Sequence, residues 1–169
     1  MELAVILIKL IVSVATLALK LLFSILGWIF SLILRHSSPS APVMTGRGRA
    51  VDGDTLSIGQ HRIRLHGIDA PEMGQSAGPM AGRMLSKMIA GRALRVEPIE
   101  RDRYGRTVAR VSLEDGTDLS RAMVAAGWAL AASGSRYTGE MSEARRERRG
   151  VWSNGNGIEN PAAWRARQG

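Results

Sequence analysis

The chain has 169 residues and a formal net charge of +8, from 23 Lys and Arg against 15 Asp and Glu. It contains no cysteine, which excludes disulfides and thiolate metal sites, and its three histidines are too scattered to favour a zinc site. The excess of cations favours a polyanionic partner, although a solvated basic surface accounts for the charge equally well.

An almost wholly apolar segment opens the chain and runs from Leu3 to Leu34. It is longer than the apolar part of a secretory signal, and residues 10–34 suffice to span a bilayer as a helix. We therefore expect residues 1–35 to form a single-pass transmembrane anchor. A Ser/Pro-rich linker over residues 36–43 should follow it.

Small and polar residues recur along the anchor at steps of three and four, so that they form one stripe on a helix. The stripe consists of Lys9, Ser13, Thr16, Lys20, Ser24, Gly27 and Ser31. Such a stripe favours contact with another helix in lipid, and hence self-association. The alternative, which the sequence supports equally, is that the two lysines snorkel and the small residues have no packing role.

The globular part is predicted to be one domain over residues 44–155, followed by a tail over 156–169 with a short helix. Residues 47–60 have the pattern of a hairpin with a two-residue turn at Asp52-Gly53, and Gly59-Gln60 forms a second turn.

Residues 61–68 alternate as in a strand that is buried on one side. Ile63 and Leu65 share one face, and Arg62, Arg64 and His66 share the other. Pro71 ends this extended run.

The remaining elements are predicted from periodicity and from helix-capping signals. They are a helix over 77–90, strands over 93–99 and 107–113, a helix from Asp118 to Gly127, a helix over 139–149, and a last helix from Asn160-Pro161. The first of these helices places Met80, Met84 and Met88 on its apolar face, where methionine most often fills core space. Periodicity alone supports an α+β fold.

Three short segments combine carboxylates with arginines. They are Val51-Asp52-Gly53-Asp54-Thr55, Arg64-Leu65-His66-Gly67-Ile68-Asp69-Ala70-Pro71-Glu72, and Asp102-Arg103-Tyr104-Gly105-Arg106. Carboxylate oxygens bind a hard cation such as Ca²⁺, and a further carboxylate can take a proton from water. Arginine grips phosphate at two points and stays charged. This set of groups suits phosphodiester cleavage.

The three segments, in this order, resemble those of the staphylococcal nuclease (thermonuclease) family over roughly residues 46–152. The resemblance implies a five-stranded OB-fold barrel with about three helices, here preceded by the transmembrane helix. Each segment alone would be a weak signal, and the three together are specific.

The resemblance also implies a metal site and a base. Asp54 and Asp69, with the backbone carbonyl of Ala70, match the Ca²⁺ ligands of the family, and Glu72 matches its general base. Taken singly, each of these carboxylates is more often a turn or surface residue.

The matched arginines imply how substrate is held. Arg64 and Arg106 match the phosphate clamp of the family, and Arg103 and Tyr104 match positions that contact the terminal phosphate and sugar. Ser133 stands where the family has a second tyrosine against the nucleotide, which implies that the substrate is held either more weakly or in a different shape of site. Tyr137 lies close by in sequence and need not replace that tyrosine.

The resemblance thus implies a calcium-dependent nuclease that hydrolyses DNA and RNA with little sequence preference and leaves 3′-phosphate ends. It needs no nucleotide cofactor. The alternatives are a catalytically silent OB-fold module that binds nucleic acid and a membrane-tethered accessory of envelope assembly. Arginines after the anchor favour a cytoplasmic domain, whereas the hazard of a nuclease to its own cell favours the extracytoplasmic side, which we expect.

Overall fold

The computed structural model describes residues 2–36, 43–155 and 157–168. They form two units, a long N-terminal helix and a domain that starts at the first strand. Most of the predicted linker, residues 37–42, lies outside the described residues.

The N-terminal helix α1 comprises Glu2–His36. Its window Val12–Ile29 is long and apolar enough to cross a membrane, and the side chains described there are exposed. Length and composition alone support a spanning segment, and a signal sequence meets the same criterion. One polar side chain of the predicted stripe has a hydrogen-bond acceptor within the helix, because the Thr16 hydroxyl donates to the Ser13 carbonyl oxygen at 2.8 Å.

The second unit contains eight strands and four helices within the described residues. The strands are β1 Met44–Arg47, β2 Arg49–Ala50, β3 Thr55–Ile58, β4 His61–Leu65, β5 Ile68–Asp69, β6 Ala93–Arg101, β7 Thr107–Leu113 and β8 Leu130–Ala131. The helices are α2 Gly78–Ile89, α3 Leu119–Ala125, α4 Thr138–Arg146 and α5 Pro161–Gln168, with a 3₁₀ turn at Gly150–Trp152.

Six of the strands form a sheet that closes into a barrel. Its order is β1-β6-β7-β4-β3-β2, and the two outer strands are successive parts of one segment that bends at Gly48. A Cβ at Gly48 would lie only 2.9 Å from Leu94 Cδ1, so glycine allows the close approach at the bend. Counting that segment once gives five strands, and only β4 and β7 pair in parallel. This confirms the OB-fold expectation.

The barrel core is built from alternate residues of the strands and from the inner faces of α2 and α3. Ile63 and Leu65 are buried as the alternation predicts, while Arg62 and Arg64 lie on the opposite face. The remaining inward side chains include Leu56, Leu85, Leu94, Val96, Val111, Leu119 and Met123. Burial of these apolar side chains is the main favourable contribution to folding.

Two local predictions were wrong. β2 ends at Ala50 and β3 begins at Thr55, so the connection is a four-residue loop over 51–54 and not a two-residue turn. The Asp52 carboxylate accepts from the backbone N–H groups of Asp54 and Thr55, and this stabilises the longer loop. Met80 is 43% exposed, because α2 turns Ala81 and Leu85 towards the core instead.

The helix ends differ from prediction by a few residues at α4, which stops at Arg146 and not at Arg149. Arg148 then adopts a left-handed φ of 54°, which a continuing helix does not allow. The predicted capping of α3 is confirmed, since Asp118 Oδ1 accepts from Arg121 N–H at 3.2 Å. The last predicted helix is also present as α5, and Asn160 Oδ1 accepts from Ala162 N–H at 2.8 Å at its start.

Candidate active site

The Asp54 carboxylate lies inside the wall of the barrel, where β3 begins. Its residue is 4% exposed, and its loop is compact because the preceding glycine has no side chain: a Cβ at Gly53 would lie 2.7 Å from the Cβ atoms of both Ala70 and Ala81. Asp54 Oδ1 accepts from the Thr55 hydroxyl at 3.0 Å, and Oδ2 accepts from Ala70 N–H at 3.1 Å. One side-chain hydroxyl and one backbone N–H therefore fix the direction of this carboxylate.

Arg64 joins two of the predicted metal carboxylates. The residue lies opposite Thr55 in the β3–β4 ladder, which points its guanidinium at Asp54. Arg64 Nη1 is 2.6 Å from Asp54 Oδ1, and Nη2 is 2.8 Å from Asp69 Oδ1. Nη2 also donates to the Ile68 carbonyl oxygen at 3.2 Å. One planar cation thus sets the spacing of the two acidic side chains.

Burial governs the charge state of this pair. Desolvation raises the pKa of Asp54 to about 6, against the lowering effect of the Arg64 charge. Burial alone would lower the pKa of Arg64, but the charges of Asp54 and Asp69 outweigh it and that pKa is raised. Burial therefore disfavours the charged form of Asp54, and the Arg64 guanidinium favours it.

Asp69 and Glu72 lie on the segment that leaves β4. Asp69 is held in β5 by pairing with Leu130 of β8. Glu72 follows Pro71, and its backbone N–H donates to Gln75 Oε1 at 2.8 Å. A Cβ at Gly78, the first residue of α2, would overlap the Glu72 carbonyl oxygen, so glycine there allows the segment to pass close to the helix.

The turn between β6 and β7 carries the third group of predicted residues. Asp102 Oδ1 accepts from the N–H groups of Tyr104 and Arg106 at 2.9 and 3.0 Å, and Gly105 supplies the positive φ of 77° that the turn requires. Arg106 Nε donates to Asp102 Oδ2 at 2.7 Å. Within the described residues neither Nη group of Arg106 has a protein partner, so both can donate to an anion.

Beside it, Arg103 donates from Nη2 to the Tyr104 hydroxyl at 2.8 Å and lies 4.9 Å from the centre of that ring. Tyr104 is 66% exposed, so the ring and its two neighbouring arginines form an accessible surface for a sugar or phosphate.

A cleft of about 440 Å³ brings most of these residues together. It is lined by Asp52, Asp54, Arg62, Arg64, Ala70, Pro71, Glu72, Arg103, Tyr104, Arg106 and Arg165. Asp69 lies beneath it, bonded to Arg64 and Arg165. Every predicted site residue therefore lies in or directly against one cleft.

Sequence reasoning missed Arg165. Its Nη1 donates to Asp69 Oδ1 at 3.1 Å and to Glu72 Oε1, and its Nη2 donates to Asp69 Oδ2 at 2.9 Å. Hydrogen bonding to Asp69 is the main reason why the pKa of Arg165 is raised. The two partners are more than ninety positions apart in the chain, and no local signal marked the residue beyond the predicted start of its helix.

Comparison with known proteins decides the family. A family model described as "Staphylococcal nuclease homologue" matches residues 62–154, more than half of the chain. The chain belongs to the staphylococcal nuclease family. It is therefore a nuclease hydrolase of the OB-fold type.

Relatives with nuclease names cover most of this staphylococcal nuclease homologue. An "Uncharacterized endonuclease" of Escherichia coli O157:H7 is 35% identical over 130 residues, which span 71% of this chain and 83% of the relative. A "Micrococcal nuclease" of Shigella flexneri is 36% identical over 135 residues, or 69% and 77%. The "Staphylococcal-like nuclease CAN1" of Arabidopsis thaliana is 37% identical over 108 residues, or 62% and 33%.

The donor set of this staphylococcal nuclease homologue fits a hard cation held by few protein ligands. A carboxylate offers about four lone-pair sites. Among the described residues, Oδ2 of Asp54 and Oδ2 of Asp69 each have a single hydrogen-bond partner, so each keeps a free lone pair. No group of three or more His, Cys, Asp or Glu side chains able to hold a metal occurs within the described residues, so waters would have to complete the shell.

Ser133 is the residue that the resemblance aligns with a nucleotide-packing tyrosine of the family. Ser133 and Tyr104 line the same groove beside the cleft. Tyr137 does not take the place of the missing ring. It is 1% exposed, and its hydroxyl donates to Asp118 Oδ2 at 2.9 Å within the core. The rings among the residues that line this groove are the phenol of Tyr104 and the imidazole of His66.

Proposed function

We propose that the protein is a calcium-dependent nuclease that hydrolyses phosphodiester bonds of DNA and RNA with little sequence preference. The observation that carries the proposal is the pair Asp54 and Asp69 on the single guanidinium of Arg64, in a cleft that Glu72 and Arg106 also line. Two oxygen ligands with free lone pairs suit Ca²⁺ at modest affinity.

Glu72 is the proposed general base. It takes a proton from a water molecule, whose oxygen attacks the phosphorus while the bond to the 5′ oxygen of the next nucleotide breaks. Arg64 and Arg106 neutralise the negative charge that grows on the five-coordinate phosphorus, since preorganised donors act most strongly where charge develops. The leaving 5′ oxygen takes up a proton from solvent water, and Glu72 releases its proton to solvent, so the products are a 3′-phosphate and a 5′-hydroxyl. The cation, when bound, supplies further positive charge to the reacting phosphate.

Arg64 both holds the two carboxylates in place and keeps N–H donors for the substrate. Of its five N–H donors, Nη1 and Nη2 use three bonds on Asp54, Asp69 and the Ile68 carbonyl. Nε and one Nη1 hydrogen remain available to the oxygens of a phosphate.

Arg103 and Tyr104 are the proposed contacts for the terminal phosphate and sugar, because both side chains line the same cleft.

The rival proposals are a silent OB-fold module that binds nucleic acid and a tethered accessory of envelope assembly. Both predict that the carboxylates are dispensable for function. Neither requires the buried Asp54 to be held in ion-pair contact with Arg64, an arrangement whose desolvation costs free energy. The geometry therefore favours the enzyme.

Cleavage of end-labelled oligonucleotides tests the proposal. The full chain in mild detergent should cut single-stranded DNA and RNA of several sequences with Ca²⁺, should stop with a chelator, and should turn over little with Mg²⁺, which demands a tighter octahedral shell. The new 3′ ends should resist extension by a polymerase until phosphatase removes the phosphate. Full activity in chelator would contradict the metal site, and 3′-hydroxyl products would contradict the proposed bond.

We also propose that α1 anchors the protein as a single-pass helix, with the nuclease domain on the extracytoplasmic side. Self-association through the small-residue stripe follows from close helix approach in lipid. Replacing Ser24, Gly27 and Ser31 by leucine should keep the helix in the membrane but reduce crosslinked dimers. An unchanged crosslinking pattern would leave the stripe without a packing role, and protection of the domain from external protease in intact cells would place it inside.

A further inference from the structure

A cation from the C-terminal helix lies on two of the proposed functional carboxylates. Arg165 bonds both oxygens of Asp69, at 3.1 and 2.9 Å, and its Nη1 also bonds Glu72 Oε1. It lies in α5, beyond residues 62–154 that match the family. Asp69 and Glu72 carry like charges, so the guanidinium between them offsets a repulsion that would otherwise turn the Glu72 carboxylate away.

The segment that presents Arg165 is fixed to the segment that carries Glu72. The side chain of Gln75 links them, because its Oε1 accepts from Glu72 N–H at 2.8 Å and its Nε2 donates to the Glu159 carbonyl at 3.0 Å. Gln75 is 9% exposed, so these bonds are shielded from water. The placement of Arg165 is thus part of the folded domain.

Packing adds a second attachment of α5. The Trp164 ring covers Gly74, where a Cβ would lie 2.8 Å from Trp164 Cζ2. Pro161 at the start of the helix is buried, and the Asn160 side chain caps the helix start. Because α5 is attached at its first residue and at Trp164, we treat it as a fixed part of the domain and not as an inhibitory tail that dissociates before substrate binds.

Arg165 also leaves room for the chemistry. Asp54 Oδ2 and Asp69 Oδ2 each keep one lone pair when Arg165 is in place, and Arg165 bonds only one of the two Glu72 oxygens. The second Glu72 oxygen has no hydrogen-bond partner within the described residues and is available to a water molecule. A bound cation and a bonded Arg165 are therefore compatible.

We propose that Arg165 is a positioning residue of the nuclease: it holds the Glu72 carboxylate beside Asp69, so that the free Glu72 oxygen points to the attacking water. The proposal rests on the proposed function, since it assigns Glu72 the role of base. It makes α5 a required part of the active site.

Three variants of the full chain in detergent test the role. Arg165→Gln removes the charge and should lower kcat by about 10-fold to 100-fold, as is common when a group that orients a functional ligand is lost, with KM changed little. Arg165→Lys, which keeps a charge but loses the fork, should recover only part of that loss. Arg167→Gln is the matched control on the same helix, because Arg167 pairs with Glu159 outside the cleft, and it should cleave at the wild-type rate.

Two readouts separate positioning from a merely structural role. Guanidinium ion at low, non-denaturing concentration should restore part of kcat to Arg165→Ala and should not stimulate the wild type. Calorimetric titration with Ca²⁺ alone should show severalfold tighter binding by Arg165→Gln, because a positive charge next to Asp69 is gone. Arg165 is 40% exposed, so the variants should unfold at nearly the wild-type temperature.

The outcomes are distinguishable from failure of the proposed function. If Glu72→Gln is inactive while Arg165→Gln keeps the wild-type kcat, the positioning role is overturned and the proposed function stands. If Arg165→Gln cleaves faster than wild type, α5 inhibits the site and the proposal is again overturned. Absence of guanidinium rescue, or unchanged Ca²⁺ affinity, also contradicts it. If Glu72→Gln cleaves like wild type, the proposed function itself fails.

Discussion

Replacing Arg64 by methionine should destabilise the barrel domain by about 3 kcal/mol. The substitution keeps an unbranched side chain of similar length but removes the charge that lies 2.6 Å from Asp54 Oδ1. Asp54 cannot turn to water, because its side chain is 6% exposed and Ala70 N–H and the Thr55 hydroxyl hold both oxygens. The variant therefore leaves a buried carboxylate without its counter-ion.

The expected magnitude follows from the burial of both partners. Breaking a buried ion pair by removing one partner typically costs 3–5 kcal/mol. The Arg64 side chain is 18% exposed, and Asp69 keeps Arg165 as a second partner, so the low end of that range applies. For a domain of this size 1 kcal/mol shifts Tm by roughly 4 °C, which gives a decrease of ~12 °C.

Urea unfolding of the full chain in non-ionic detergent, followed by tryptophan fluorescence in the presence of a chelator, measures the change. Arg62→Met is the matched control: this arginine lies two residues earlier on the same strand, is exposed and has no ion pair among the described residues, so its loss should cost less than ~0.5 kcal/mol. Adding Asp54→Asn to Arg64→Met should recover stability. A loss below 1 kcal/mol, or strict additivity of the two changes, would refute the reasoning.

Three further predictions follow from the site. Arg106→Lys should slow cleavage by about 100-fold with Tm unchanged, because a lysine cannot bond Asp102 and a phosphate as a fork; a wild-type rate would contradict the clamp role. Gly53→Ala should cost roughly 1–3 kcal/mol in urea unfolding, since a Cβ there meets two others at 2.7 Å, whereas Gly139→Ala, with open space around it, should cost nothing. In chelator, Asp54→Asn should flatten the pH dependence of the free energy of unfolding. Burial raises the pKa of Asp54 to about 6, so the contribution of this carboxyl to stability is present below about pH 4 and is lost as pH rises through 6. An unchanged pH profile in the variant would contradict the raised pKa.

Much of the barrel could be predicted because its signals are local. Alternation over residues 61–68 placed Ile63 and Leu65 on one face and Arg62, Arg64 and His66 on the other, and the structure confirms that Ile63 and Leu65 are buried. The Asp118 cap was predictable for the same reason, since a cap bonds only its own helix. The closure of the barrel at Gly48 was not, because it depends on β1, the first part of that segment, pairing with β6, which lies far along the chain.

The candidate site divides in the same way. The carboxylates and arginines of the three segments were indicated by the resemblance of those segments to the family, and the structure places them in or against one cleft. To predict that Arg64 forms ion pairs with both Asp54 and Asp69, one also needs the register of β3 against β4. Arg165 could not be predicted, since tertiary packing alone brings it to Asp69 from the far end of the chain.

Plasmid cleavage by the full chain and by Glu72→Gln tests the central claim most directly. With Ca²⁺ the wild type should convert supercoiled plasmid to nicked and linear forms, and a chelator should abolish this. Glu72→Gln, which preserves the shape of the side chain, should be slower by about 100-fold or more, as expected when a general base is lost, with an unchanged unfolding curve. Equal rates for the two proteins, or plasmid that stays intact with the wild type and Ca²⁺, would contradict the account.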